Sequence, residues 1–530
     1  MREIEQEEPQ EIDEASAKLH QLRSKATELL LREEWKESID AYSHFISLCQ
    51  NQKSLCLAHS NRAEARFRLR EFAAALKDCE EALKIESAHF KTLLCKGKIL
   101  FNLNRYGVAL DCFRVAANLD PQASSNSETL NDYLDKCKKL EFLSKTGTFD
   151  LSDWILGGFR GKIPELAEYF GGVEIKKSEI SGRGLFATKN IDSGTLLLVT
   201  KAIAAERGIL PQEDLDENAQ LVMWKNFVDK VVESARKCSR TYYLVCMLST
   251  GENENDREVP EIDLFRPEAE ENRFSDEDLD VERILSILDV NSVVEGAISS
   301  KVLGKNNYYH GVGLWLLASF INHSCEPNAR RLHVGDHVIV HASRDVKAGE
   351  ELTFAYFDVL QPLSNRKEMS KSWGFSCHCR RCKFEEGLCH KQEMREVEMV
   401  LGRGLDMGGV VYRLEEGMKR WMVRGKGKGY LRASFWAAYS EAFGSETLMR
   451  RWGRRIPGIE TVVDGLVDAV GSDERVVKVL VEGLKKSGKI FGNGMMEMER
   501  VMKFGRGIYG KVMKRRALKS LLQISTHEQC

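Results

Sequence analysis

Asn322-His323-Ser324-Cys325, Glu350-Glu351-Leu352-Thr353-Phe354-Ala355-Tyr356 and Trp373-Gly374-Phe375-Ser376-Cys377-His378-Cys379-Arg380-Arg381-Cys382 decide how this chain of 530 residues is organised. The last stretch spaces three cysteines as C-x-C-x2-C, and Cys325 lies 52 residues before the first of them. Four thiolates with this spacing suit one tetrahedral zinc ion, and a zinc bound by four sulfurs has no open position, so the expected role is structural. Such a metal would clip the chain after Tyr356 onto the segment around Asn322.

The flanks of this stretch read as strands. Val338-Ile339-Val340 is apolar, Lys347-Ala348-Gly349-Glu350 is a turn, and Leu352-Thr353-Phe354 leads into Tyr356. Further upstream, Val173-Glu174-Ile175-Lys176 alternates and Thr195 to Val199 is an apolar β run. Between them, glycines on both sides of Arg183 let the backbone approach a ligand closely. Residues 208–306 read as mostly helical, and 251–282 carry 14 acidic residues against three arginines. A solvated surface loop is the expectation for that acidic run, ahead of a strip that draws in a basic substrate.

Residues 1–14 are charged and expected to be disordered. From Ala15 to Pro121 the pattern is helical and repeats. Ala63, Ala75 and Ala82 recur 34 residues later as Gly97, Ala109 and Ala116, with a looser unit through Ala26, Trp35, Ala41 and Tyr42. Small residues at fixed offsets let the two helices of a hairpin pack closely, and 34 residues is the tetratricopeptide (TPR) period. Cys49, Cys56, Cys79, Cys95 and Cys112 fall inside and read as small buried apolar residues. In the carboxylate-clamp version of these repeats, Asn61 and Lys91 match and Arg23 can replace the first lysine, while Thr27 and Cys95 depart. The expectation is a general protein-docking groove.

Lys plus Arg total 78 against 80 Asp plus Glu, a net charge of -2 that excludes global nucleic-acid affinity. No apolar run is long enough to span a bilayer, and the acidic start is unlike a signal peptide. Fourteen cysteines then read as thiols and metal ligands of a reducing compartment, nucleus and/or cytoplasm. The region 384–530 reads as helical, with Ser472-Asp473-Glu474 opening a helix that closes at Lys485-Lys486 and buries Val476, Val477, Leu480, Val481 and Leu484. Arg424-Gly425-Lys426-Gly427-Lys428-Gly429 reads as a flexible solvated loop.

Taken in order, Gly182-Arg183-Gly184-Leu185, Asn322-His323-Ser324-Cys325-Glu326-Pro327-Asn328, Glu350 to Tyr356 and the cysteine tail resemble the SET-domain lysine methyltransferases, most closely the SMYD type with its split core. Thr200 to Lys301 offers only Cys238 and Cys246, too few for the zinc-binding MYND module of that type, and repeats precede the domain instead. That combination is similar to TPR–SET proteins of plants and other eukaryotes. The resemblance implies a multidomain α and β chain: TPR repeats over 15–121, a linker with a helix over 122–172, and a β-rich SET domain over 173–356 with its insertion at 208–306. A post-SET zinc segment at 357–383 and a C-terminal helical region over 384–530 complete it. It implies a protein-lysine N-methyltransferase using S-adenosylmethionine on a protein or peptide lysine, histone tails included, with a protein partner in the TPR groove. The rival expectation is a catalytically idle SET/TPR adaptor. Carried over residue by residue, Tyr356 is the catalytic tyrosine. Ser181, Gly182, Arg183, Asn322, His323, Tyr356 and Phe375 hold the cofactor, and Tyr308, Tyr309 and Trp373 line the lysine channel. Cys325, Cys377, Cys379 and Cys382 bind zinc.

Overall fold

A computed structural model describes residues 9–119, 128–209, 217–252, 257–268, 278–295, 309–404, 406–488 and 495–524, and all their side chains except those of 9–16, 128, 209, 217–218 and 309. The chain divides into two compact units. One comprises Met1–Lys145, Val232–Tyr243 and Arg266–Asp280, and the other Thr146–Val231, Leu244–Phe265 and Val281–Cys530.

In the first unit, three helix hairpins follow one another: α1 (Pro9–Leu31) with α2 (Trp35–Leu48), α3 (Gln52–Arg68) with α4 (Phe72–Ile85), and α5 (Phe90–Asn102) with α6 (Tyr106–Leu119). A further helix, Glu128–Thr146, comes after them. The small residues at repeat spacing are why the hairpins close: Ala63, Ala75, Ala82, Ala109 and Ala116 are all fully buried. Gly97 lies flat against the ring of Phe113. Arg70 and Asn104, at equivalent places in successive hairpin turns, both take left-handed φ, near +61° and +62°. The helix-rich, tetratricopeptide-like region is therefore built as read. Its start is earlier than expected, because α1 begins at Pro9 inside the stretch expected to be disordered. Proline's fixed φ suits a first helical position, and the acidic residues after it favour a helix N-terminus. Cys56, Cys79 and Cys95 are buried, as read, whereas Cys49 and Cys112 are only half-buried.

A charged cluster is buried inside this unit. The Asp78 carboxylate accepts from Arg62 Nε at 2.9 Å and Nη2 at 2.6 Å, from Arg66 Nη1 at 2.7 Å, and pairs with His59 Nδ1 at 3.0 Å. Burial pushes this carboxyl up, but the bonds from His59 and Arg62 outweigh it and hold it below its ordinary value.

The second unit carries the strands. Strands β1 (Tyr169–Phe170), β4 (Leu196–Lys201), β10 (His337–Ala342) and β9 (Ala329–Val334) form one antiparallel sheet in that order. β2 (Val173–Lys177) pairs with β3 (Arg183–Ala187), and β7 (Tyr309–Leu314) lies between β5 (Ala204–Ile209) and β6 (Val293–Val294). The insertion contributes the helices Glu217–Lys237, Ser239–Cys246 and Val281–Asn291, in keeping with its helical reading. Within the acidic run, residues 253–256 and 269–277 lie outside the described residues.

Helices fill most of the chain from Arg380 onward. Glu474–Lys486 runs as the sequence indicates, with Asp473 accepting from Arg475 N–H as its cap and all five expected apolar side chains buried. The loop expected over Arg424–Gly429 is instead the start of a packed helix, Lys426–Ser434. Gly429 sits so close to helix Ile459–Val470 that an added Cβ would fall 2.1 Å from the Gly465 carbonyl oxygen. Here glycine serves close helix approach, and tertiary packing overrides its weak helix propensity.

Candidate active site and cysteine cluster

Two short strands set the site. β8 (Asn322–His323) pairs in parallel with β11 (Thr353–Phe354). The turn after β8 is locked to β11: Ser324 N–H donates to Phe354 O at 2.9 Å, Thr353 N–H donates to Asn328 Oδ1 at 2.8 Å, and Asn328 Nδ2 donates to Glu351 O at 2.8 Å. Cys325 thus follows one strand and Tyr356 the other, at fixed separation.

The four sulfurs of Cys325, Cys377, Cys379 and Cys382 lie within 4.8 Å of one another, with Cys325 3.8 Å from Cys377 and 3.6 Å from Cys382. A tetrahedral ion with metal–sulfur bonds of about 2.3 Å places its sulfurs about 3.8 Å apart, so the donor set fits zinc. Donors from outside the cluster reach it too. Arg366 Nη1 donates to Cys382 Sγ at 3.1 Å, and His323 Nε2 lies 3.4 Å from Cys325 Sγ. Hydrogen bonds among the four sulfurs push the Cys325 thiol down and those of Cys377 and Cys382 up, as expected of thiols packed close enough to share protons. Behind the sulfurs, Arg381 is fully buried. It donates to Cys325 O at 3.0 Å, Val359 O at 2.8 Å, Glu385 Oε1 at 2.9 Å and Ser434 Oγ at 2.8 Å. Arg366 completes the network on Glu385 Oε2 at 2.7 Å.

His323 links this cluster to Tyr356. Its Nδ1 accepts from Tyr356 N–H at 3.1 Å, so the ring proton sits on Nε2 and points at Cys325. The Tyr356 hydroxyl donates to Ile321 O at 2.9 Å. Around its ring, Trp373, His323 and Phe375 stand at centroid distances of 5.3, 5.4 and 6.2 Å, and Trp373 is half exposed. Burial pushes the Tyr356 phenol up to about 12, which keeps its proton in place at neutral pH.

Residues 182–357 match the family model of the SET domain. This segment is a SET domain. Among known proteins, a "Methyltransferase" of Gibberella zeae is 28% identical over 379 residues, covering 66% of this chain and 49% of that protein. "Histone-lysine N-methyltransferase SMYD3" of Homo sapiens is 40% identical over 77 residues, 14% of this chain and 18% of the relative. "Histone-lysine N-methyltransferase SET5" of Eremothecium gossypii is 40% identical over 87 residues, 16% of this chain and 18% of the relative. The chain thus spans about half the length of the first of these relatives and less than a fifth of the other two. Among solved structures, the "TPR2B-domain:pHsp70-complex of yeast Sti1" covers 23% of this chain and 98% of its own, at 21% identity and a TM-score of 0.21.

Within the SET domain, the loop Ser178–Gly182 is tied to β8 through one amide. Asn322 Nδ2 reaches Ser181 O at 3.2 Å, Arg183 O at 3.1 Å, Ser178 Oγ at 3.2 Å and Glu351 Oε1 at 2.8 Å. Ser178 Oγ donates to the same carboxylate at 2.8 Å. A Cβ on Gly184 would lie 2.4 Å from Glu351 Oε1, so glycine leaves the room that the carboxylate occupies. Ser181, Gly182, Asn322, His323, Phe375, Tyr356 and Trp373 therefore gather around one strand pair. Arg183 joins them through its main-chain carbonyl, while its buried guanidinium donates to Glu258 O at 3.3 Å and lies over the Phe320 ring. The His323 imidazole is likewise buried, with both nitrogens in contact within the protein. Tyr308 lies outside the described residues. Tyr309 opens β7, paired with Ile209, and its side chain is outside the description. The sequence reading missed Ser178, Glu351, Arg366, Arg381 and Glu385. The one signal was an acidic residue, Glu351, directly before an apolar β run.

Proposed function

We propose that this chain is a protein-lysine N-methyltransferase that uses S-adenosylmethionine, with a structural zinc in its four-cysteine cluster and a protein partner on its repeats. The observation that carries this reading is the path Cys325–His323–Tyr356. The cysteine cluster, one imidazole and the tyrosine form a continuous chain of contacts, so metal binding positions the phenol. Cys325, Cys377, Cys379 and Cys382 would hold the zinc. The main chain of Ser181 to Arg183, Asn322 and the faces of Phe375 and Tyr356 would hold the methyl donor, since aromatic faces favour a cation. When bound, S-adenosylmethionine supplies an electrophilic methyl group.

The chain's own residues then address the nucleophile. A lysine amine near its ordinary pKa of about 10.4 costs roughly 4.6 kcal/mol to deprotonate at pH 7. A lysine seated among Tyr356, Trp373 and Phe375 would shed water from their aromatic faces, which lowers that cost. The phenol keeps its proton and acts by orientation, its oxygen fixed by the bond to Ile321 O. Asn322 and Glu351 hold the Ser178–Gly182 loop against β8.

The test combines calorimetric titration of S-adenosylmethionine with methyl transfer to protein and histone-peptide arrays. Turnover is expected, and Tyr356→Phe should reduce it about 100-fold while leaving cofactor affinity near that of the parent. Binding without turnover on any substrate would select the idle-adaptor reading instead.

A further inference from the structure

Cys56, Glu86 and His89 stand together in the repeat unit, and none of them takes part in the methyl-transfer reading. Their ligand atoms, a sulfur, a carboxylate oxygen and an imidazole nitrogen, lie within 4.8 Å of one another. They come from three consecutive pieces of chain: Cys56 from the first turns of α3, Glu86 from the residue closing α4, and His89 from the residue opening α5. Cys56 is fully buried, while Glu86 is exposed and His89 half-buried, so the group has one face to solvent.

We infer that Cys56, Glu86 and His89 form a second metal site, taking a zinc-class divalent cation with one coordination position open. The donor types match, since thiolate, imidazole and carboxylate are the three ligands that zinc combines. The spacing is close to what a metal needs. Cys56 Sγ is 3.9 Å from Glu86 Oε2, and a tetrahedral zinc would bring sulfur and oxygen to about 3.6 Å. The imidazole is already oriented, because His89 Nδ1 lies 2.6 Å from the Oγ1 of the fully buried Thr92, the kind of second contact that fixes metal-bound histidines. Among the described residues, Cys56 Sγ otherwise donates to the Ala82 carbonyl, at 3.5 Å. The thiol donates to the Glu86 carboxylate, so ionising the sulfur alone would set two like charges together. A divalent cation reconciles them and displaces the thiol proton. Bound there, it would clip α3 to the turn between α4 and α5. With three protein ligands the fourth position stays available to water or to a donor from a docked partner, unlike the closed four-cysteine site.

The experiment counts zinc in the full-length chain after equilibration in a zinc buffer, by elemental mass spectrometry, with cobalt substitution to report ligand type from the visible spectrum. The parent should carry about two zinc ions per chain, and Cys56→Ala and His89→Gln about one each. Cobalt in those variants should retain the sulfur-rich spectrum of the four-cysteine site. Glu86→Gln changes an exposed side chain, leaves folding intact, and should weaken the second zinc about tenfold or more. One zinc in the parent, lost in Cys325→Ser, would overturn the site. So would undiminished zinc in Cys56→Ala, or a cobalt spectrum and zinc affinity unchanged in Glu86→Gln.

Discussion

The repeat unit and the SET domain solve the same problem, holding chain segments in place, by opposite means. In the repeats, neighbours in sequence pack through small side chains: Ala63, Ala75 and Ala109 are fully buried and Gly97 meets Phe113. In the SET domain and the chain that follows it, segments far apart in sequence are joined by polar groups. Cys325 meets Cys382, Arg381 joins Cys325 O to Ser434, and Asn322 joins the Ser178 loop to Glu351. Local packing degrades gradually when one contact is lost. A fastening that depends on a few charged or metal-bound groups fails together, because each leaves the others buried without partners.

The largest test of that contrast is the four-cysteine site. Roughly 10 kcal/mol of folding energy is linked to a structural zinc of this kind. Cys325→Ser should therefore abolish methyl transfer and remove the SET unfolding transition in calorimetry, while the helical signal of the repeats persists to its own transition. Simultaneous loss of both transitions would break the comparison.

Next in size is the arginine behind the sulfurs. Arg381→Met should cost about 3–5 kcal/mol in denaturant unfolding, since it leaves the buried Glu385 with Arg366 as its one remaining cation beside the Ser434 hydroxyl and strips a donor from two buried carbonyls. Zinc affinity should fall with it, which an ordinary cavity would not produce.

These two residues also show what a sequence reveals. Cysteines are scarce and their chemistry is narrow, so a C-x-C-x2-C spacing pointed to the metal cluster and to Cys325 across a long loop. Arg366, Arg381 and Glu385 were invisible because a charged residue in a helical stretch ordinarily faces water, and nothing local marks the exception. Tyr356 and Asn322 were legible through motif order, whereas Ser178 and Glu351, which fix the same loop, belong to no repeating pattern. The helix at Glu474–Lys486 was readable from its cap and apolar face. The one at Lys426–Ser434 was not, because its glycines read as a loop until Gly465 is seen against Gly429.

The Asp78 cluster is a polar exception to local packing within the repeats, and it offers a smaller test. Asp78→Asn should cost about 2 kcal/mol, the scale of a hydrogen bond to a charged group, by leaving Arg62 and Arg66 adjacent with no counter-charge. The pH dependence has a definite sign. The folded carboxyl sits below its unfolded value of about 3.9, so its contribution is fully present above that pH and is lost as pH falls through the depressed folded value. Urea midpoints of the repeat transition should be flat for this group from pH 7 to about 5 and drop below about 4 in the parent, with a shallower drop in Asp78→Asn.

The smallest effect separates the two regions most cleanly, because the same device serves both. Asn51 caps α3 by accepting from Ser54 N–H at 2.9 Å in an exposed setting, and Asp473 caps Glu474–Lys486 by accepting from Arg475 N–H at 2.9 Å. Asp473 also reaches Arg330 on β9 at 3.2 Å, so its carboxylate fastens a helix to the sheet as well as closing it. Asn51→Ala should cost about 1 kcal/mol and be restored by Ser or Asp, since only the cap is lost. Asp473→Asn preserves an acceptor for the cap but removes the charge facing Arg330, so restoring the cap alone should leave a residual loss. If Asn at 473 proves as good as Asp while Asn51→Ala costs more than the cap accounts for, polar fastening belongs to the repeats as much as to the SET domain.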